Sequence, residues 1–367
     1  MLRAMKFPAA YFQGRDALTE FEIHTRCYGK SFLFIGSKSA LKAARGKLES
    51  SFAGSEGSIS FELSTGTPCA SEIARLKAIT VKIEAQVICA VGGGGVMDIV
   101  RSIAMSLGRP MIMIPTSVAS DAPCTYVSVI YSEDGSRIVG DEQFYKCPDL
   151  VYVDSSIVAD APVRLIVSGM GDALATVYEA TSRDRYNIAS GGSHAATGTA
   201  MMLCRESRAL VMKHGYLAYV AAQNHAVTPD LERIIEANCF LSGVGGLNTG
   251  CSGAHGFGDF LSTMPGGHNF LHGERVMIGL IIQLVMENYP KEEIDSVIRF
   301  AHSVGLPLSV RDLGINDLEA AAQEIGAATE NDHFIVNLDC DHSAEVIRGA
   351  VLTAAALVDE IRKGTTK

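Results

Sequence analysis

Residues 85–98 read AQVICAVGGGGVMD. A near-continuous apolar run, 85–91, leads into four glycines, and a helical pattern follows from about Val96 to Leu107. An apolar run this short, without polar alternation, reads as a strand buried on both faces, which is the habit of parallel sheets covered by helices. Glycines between strand and helix let the backbone approach a phosphate, and the free N–H groups of the helix N-terminus bind the anion. The run is neither GxGxxG nor a Walker loop, because no GK[ST] follows. A tight strand–helix turn alone needs one or two glycines, so four point to a phosphate or pyrophosphate.

The same grammar extends on both sides. Upstream lie SFLFIG (31–36) and SISFEL (58–63), with a helical stretch at 71–84; downstream lie PMIMIPT (110–116) and DLVYVD (149–154). Ligands in such sheets sit at the carboxyl ends of the strands. From about Ala161 strand signals nearly vanish. Helical patterns follow at 163–181, 195–213, 228–243, 271–288, 291–304, 315–328 and 342–362. The expected fold is an α/β Rossmann-like N-terminal domain, 1–162, followed by an all-α C-terminal domain, 163–367, with the ligand cleft between them.

Composition narrows the function classes. Of 367 residues, 47 % are apolar and 20 % charged, which is a globular balance. The net charge of −10 argues against nucleic acid as partner, since phosphate backbones need a basic face. No apolar run reaches membrane length, and the N-terminus carries no export signal. Nine cysteines stand singly, without CxxC, which implies reduced thiols in a cytoplasmic protein.

Two further groups of residues carry chemistry. The segment 115–131, PTSVASDAPCTYVSVIY, gathers Thr116, Ser117, Ser120, Asp121 and Thr125 at a strand end; local capping by Ser120 and Asp121 is the competing reading. In the helical half, Asp172 lies in GMGDALA, His255 in GAHGFGD and His272 in FLHGERV. One carboxylate and two imidazoles suit zinc or another first-row divalent ion and leave a position for substrate. The rival pair is His268 with His272 at i,i+4, although MPGGHNF reads as loop, and each residue taken singly is also an ordinary core group. His194, His214, His225, His302, His333 and His342 read as surface or capping groups, and KGTTK at the C-terminus as a frayed tail.

Taken together, KFPAAYFQG, VGGGGVMD, IPTSVASDAPC, SVIYSEDG, GMGDALATVYEA, VTPDLERIIEAN, LSGVG, FLHGERV and AHSVGLP, in this order, resemble the group III metal-dependent (iron-containing) alcohol dehydrogenase family over essentially the whole chain. The resemblance implies metal ligands at Asp172, His255 and His272, with zinc favoured and iron or manganese acceptable. It implies NAD as cofactor, with its pyrophosphate at Gly93, Gly94 and Gly95, its adenosine ribose at Ser37, and its nicotinamide and ribose lined by Thr116, Thr125, Val127 and Tyr131. Asp121 falls near the substrate hydroxyls. The implied reaction oxidises a small polyol, glycerol to dihydroxyacetone, in a homo-oligomer, an octamer by family. The proton is expected to leave through solvent or His268.

Five positions depart from the family pattern. Ser37, beside Lys38, replaces the acidic residue that binds the ribose and repels a 2′-phosphate, which admits NADP. Gly95–Val96 replaces Lys–Thr. Gly258 replaces a second histidine and Gly246 a bulky aromatic, which together are expected to enlarge the pocket. A larger polyol, a hydroxy acid or a phosphorylated triose is therefore the alternative substrate. A carbocycle-forming lyase resembling dehydroquinate synthase, or a non-catalytic binding protein, is the alternative of another class.

Overall fold

The structure is a computed structural model and describes residues 2–186 and 196–364. His194, the expected helix start at residue 195 and the last three residues of the tail lie outside the described residues.

The first half contains β1 (Tyr11–Gly14), α1 (Phe21–Thr25), β2 (Ser31–Gly36), α2 (Lys38–Ser51), β3 (Ser58–Leu63), α3 (Ala70–Lys82), β4 (Val87–Gly92), α4 (Gly94–Leu107), β5 (Met111–Pro115), β6 (Val127–Tyr131), β7 (Ile138–Gln143), β8 (Leu150–Asp154) and α5 (Ser155–Asp160). Six strands form one sheet in the order β1-β8-β5-β4-β2-β3, and every described pairing in it is parallel. The apolar runs become the central strands, and SISFEL, with its alternating pattern, becomes the half-exposed edge strand β3. Burial on both faces does not erase the period of two. Phe32, Phe34, Val87, Cys89, Val91, Ile112, Ile114, Leu150 and Tyr152 form the core on one side of the sheet with Leu41, Ala44 and Leu48 of α2. Leu33, Ile35, Ile88, Ala90, Met111, Met113, Val151 and Val153 face the other way.

That second face opens into the helical half: α6 (Val163–Tyr186), α7 (Gly198–Gln223), α8 (Pro229–Glu236), α9 (Ser242–Thr249), α10 (Gly253–Leu261), α11 (His272–Met286), α12 (Lys291–Ser303), α13 (Leu318–Thr329) and α14 (Ala344–Gly364). One continuous buried cluster runs from Leu33 in the sheet to Ile361 in α14. Helix starts follow their caps. Thr228 accepts from Leu231 N at 3.2 Å and Pro229 takes the first helical position, where a missing N–H costs nothing.

Several elements differ from the expectation. The stretch 228–243 is α8 and part of α9, joined by a π-helical turn over Ala237–Leu241. Helix α7 continues ten residues past 213, to Gln223. Strand β1, helix α2 and the antiparallel hairpin β6–β7 were not anticipated; the hairpin begins inside what reads as a polar loop. Helix α10 was also hidden, because Gly253, Gly256 and Gly258 lower its helix propensity. Their purpose is close packing. A Cβ on Gly256 would lie 2.8 Å from Ile335 Cδ1, and one on Gly258 3.1 Å from Val276 N. Among the described residues no helix is long and apolar enough to cross a membrane, and the nine cysteines, all described, form no disulfide.

Candidate metal and substrate site

Asp172 lies on α6, His255 on α10, and His272 opens α11. Glycines bring these helices together. A Cβ on Gly273 would fall 1.9 Å from Ser168 O, and one on Gly171 would fall 2.5 Å from Gly273 O, so α6 and the start of α11 meet backbone to backbone. A Cβ on Gly279 would lie 2.3 Å from Ala254 O, which seats α10 on α11 next to His255. The glycines in GMGDALA and FLHGERV are thus the reason a carboxylate and two imidazoles converge.

Their donor atoms form a small triangle. His255 Nε2 lies 3.4 Å and His272 Nε2 3.5 Å from Asp172 Oδ1, and the two Nε2 atoms lie 3.2 Å apart. Ligands at bond lengths of 2.0–2.1 Å on a tetrahedral ion are about 3.3 Å from one another. Asp172 is buried, and its Oδ2 has no hydrogen-bond partner among the described residues. Glu179, two turns further along the same face of α6, completes the arrangement. Its Oε2 accepts from His255 Nδ1 at 2.7 Å, and its Oε1 accepts from the backbone N–H groups of Ser252 and His255 at 2.8 and 3.0 Å. With Nδ1 as donor, Nε2 carries the lone pair, and a carboxylate behind the imidazole is the usual support of a ligating histidine.

The electrostatics favour positive charge at this point. Burial pushes the Asp172 carboxyl up, but His272 and His255 outweigh it and hold it well below the usual range. Burial lowers His272, and Asp172 more than offsets that. Burial likewise lowers His255, and the Cys251 thiol and Glu179 raise it well above the ordinary value. The negative surroundings that raise both imidazoles would equally hold a divalent ion on their neutral nitrogens.

Asp121 follows β5 in the segment that faces these ligands. It does not cap the short turn that follows it, so the local-capping reading does not hold for its carboxylate. Burial and the nearby Asp172 charge push it up to about 7, against the opposing His255 and His272. A Cβ on Gly246 would stand 3.2 Å from Thr176 Cγ2 and 3.7 Å from Asp121 Oδ2. Position 246 is therefore bare next to Asp121, and an added methyl there would press on Thr176. Gly258 faces Val276 of α11; its glycine serves helix packing, and the expectation that it enlarges the pocket is corrected.

The four glycines divide into two pairs. Gly92 has φ 154°, and a Cβ on Gly95 would fall 2.1 Å from Gly66 O, so both are accounted for by the backbone around them. Gly93 and Gly94 sit at the uncapped start of α4 and line a small cleft with Ser117, Ala119, Ser120 and Ala122. Thr116 stands at the end of β5, its N–H on Gly92 O at 3.2 Å. Thr125 Oγ1 accepts from Val127 N at 3.0 Å, and Tyr131 ends β6 with its N–H on Pro68 O. Ser37 follows β2 and caps α2, accepting from Ala40 N at 3.3 Å. His268 is exposed on a single turn, Gly267–Asn269, before α11, so it does not share a helix face with His272.

Three supporting groups escaped the sequence reading. Glu179 was legible only as a carboxylate at i+7 from Asp172 in an apolar helix. Arg101 of α4 is fully buried and binds Asp98 at 2.7 Å, Val127 O at 2.6 Å and Ala122 O at 2.7 Å, clamping the segment after Asp121. Asn238, in the π-helical turn, donates to Val118 O and Ile166 O at 3.2 and 2.9 Å, tying the end of β5 to α6.

Comparison with known proteins identifies the family. The model of the iron-containing alcohol dehydrogenase family matches residues 8–155. A glycerol dehydrogenase of Escherichia coli O6:H1 is 34 % identical over 360 residues, covering 96 % of this chain and 97 % of that protein. The chain belongs to the iron-containing alcohol dehydrogenase family. Another relative, a glycolaldehyde reductase of Halobacterium salinarum, is 32 % identical and covers 99 % of this chain and 100 % of its own. Among solved structures, a probable glycerol dehydrogenase from Sinorhizobium meliloti superposes with a TM-score of 0.88 at 31 % identity, covering 98 % and 100 % of the two chains. This family member shares with it the parallel sheet followed by a largely helical half.

Proposed function

We propose that this protein is a metal-dependent, NAD-linked dehydrogenase that oxidises a secondary alcohol of a small polyol, glycerol to dihydroxyacetone foremost. The observation that carries the reading is the meeting of Asp172, His255 and His272 at spacings that suit one ion, beside Asp121. A divalent ion held there (zinc, with iron or manganese as alternatives) would supply Lewis acidity to the reacting alcohol oxygen, and NAD the hydride acceptor. The overall change turns a carbinol and NAD⁺ into a carbonyl, NADH and one proton.

The chain's own residues orient and shield. Glu179 holds His255 in the tautomer that offers Nε2. Asp121 binds the neighbouring hydroxyl of a diol and so sets which carbinol carbon faces the nicotinamide. The N–H groups of Gly93 and Gly94 take the pyrophosphate at the start of α4, with Gly95 holding the turn against Gly66. Thr116, Thr125, Val127 and Tyr131 line the nicotinamide side, and Ser37 the adenosine ribose. His268 passes the released proton to solvent. A cytoplasmic homo-oligomer, octameric as the family resemblance implies, belongs to the same proposal.

The test is metal content of the purified protein together with NAD⁺ and NADP⁺ reduction on glycerol, propane-1,2-diol and larger polyols. About one ion per chain and NADH formation with a small diol are expected. NADH formation unaffected by chelation would overturn the reading, and turnover without net NADH would point to lyase chemistry. The absence of a side chain at Gly246, next to Asp121, favours a second reading, a larger polyol, hydroxy acid or phosphorylated triose, which the same panel separates.

A further inference from the structure

Cys251 stands four residues before His255, in the turn that leads into α10. One donor atom from each of Glu179, Cys251 and His255 lies within 4.8 Å of the others. This group shares only the His255 imidazole with Asp172 and His272. The backbone N–H groups of Ser252 and His255 occupy Glu179 Oε1, whereas Oε2 faces His255 Nδ1 at 2.7 Å. Adjacent Ser252 is fully buried, and its Oγ has no hydrogen-bond partner among the described residues. Carboxylate, imidazole and thiol form a donor set for a borderline or soft divalent ion.

We propose that Glu179, Cys251 and His255 form a second, thiophilic cation site that takes excess Zn²⁺ or Cd²⁺ and inhibits the first. The ion replaces the proton on Cys251 Sγ and the one on His255 Nδ1, both of which leave to solvent; no electron is transferred. A thiolate and an imidazole on one zinc-sized ion lie about 3.6 Å apart, so the sulfur closes by about 1 Å at most, within reach of a rotation of the half-buried Cys251 side chain, while Glu179 Oε2 and His255 Nδ1 open from 2.7 Å to about 3.3 Å. Glu179 keeps its backbone bonds through Oε1. Its support of His255 is lost, and two cations then contend for one ring. The sulfur marks this site as distinct, because Asp172, His255 and His272 contain none.

The experiment titrates the metal-loaded enzyme with Cd²⁺ and follows bound cadmium, retained metal, turnover and the ultraviolet thiolate-to-cadmium band. One further ion per chain, with the band rising as turnover falls, is expected. Cadmium that merely exchanged into the Asp172–His255–His272 group would release metal and give no band. Cys251→Ser should retain turnover, lack the band and need about tenfold or more cadmium for the same inhibition. A band that persists in Cys251→Ser, or inhibition unchanged by it, overturns the proposal. Ion count and band are read independently of any substrate, so a failed polyol assay leaves this test intact.

Discussion

Gly273 touches Ser168 so closely that a Cβ on it would fall 1.9 Å from the Ser168 carbonyl oxygen and 3.1 Å from Asp172 N. This contact locks the residue after His272 to the turn before Asp172. Gly273→Ala forces backbone apart where two ligands meet. It should cost about 2 kcal/mol or more of stability and leave the metal group unable to close. Thermal unfolding and metal content check both. Gly46 supplies the contrast: it lies in α2 with nothing within 4 Å of an added Cβ, so Gly46→Ala should stabilise by about 1 kcal/mol and keep the metal.

Glu179 acts on the metal only through His255. Glu179→Gln keeps the shape but weakens the acceptor behind Nδ1. Metal affinity should drop by about 10- to 100-fold with NAD binding unchanged. Competition with a chelator measures the first and cofactor titration the second. Unchanged affinity would remove Glu179 from the metal's support.

Asp98 is buried with Arg101, and burial pushes its carboxyl from 3.8 to about 6 despite that partner. Between those values the folded protein holds a proton that the unfolded chain has released. The group's contribution to stability is therefore complete below pH 4 and is lost as pH rises through 6, by roughly 3 kcal/mol. Denaturant unfolding across this window should show the decline in the wild type relative to Asp98→Asn. Parallel curves for the two proteins would contradict it.

Ser37 caps α2 just after β2, where the adenosine ribose is proposed to sit. Asp caps as well as Ser does, so Ser37→Asp should fold normally. The added carboxylate repels a 2′-phosphate, and kcat/KM for NADP⁺ should fall about tenfold or more relative to NAD⁺. Equal loss with both cofactors would place the adenosine ribose elsewhere.

Gly246 stands against Thr176 and Asp121, where an added Cβ would lie 3.2 Å from Thr176 Cγ2 and 3.7 Å from Asp121 Oδ2. Gly246→Ala should crowd Asp121, reducing kcat/KM on four-carbon and longer polyols by about tenfold or more while affecting glycerol less. A substrate panel reads the ratio, and a uniform loss would mean the glycine serves packing.

The sequence by itself determined the fold class. Strands such as VICAV and PMIMI are legible because a parallel sheet buries both faces, and helices such as that opened by Thr228–Pro229 are legible because their caps are local. The motifs likewise carried the identities of Asp172, His255 and His272, by resemblance and not by spacing. Only the tertiary structure decided which of those residues meet, and what stands behind them. Three donors on α6, α10 and α11 converge through backbone contacts at Gly171, Gly273 and Gly279, and glycine leaves no mark in sequence to distinguish a close approach from a turn. Helix α10 was hidden for that reason, and Gly258 was misread as pocket space when its hydrogen faces Val276. Glu179, Arg101 and Cys251 gained their significance from neighbours tens of residues away in the chain, which no local pattern encodes.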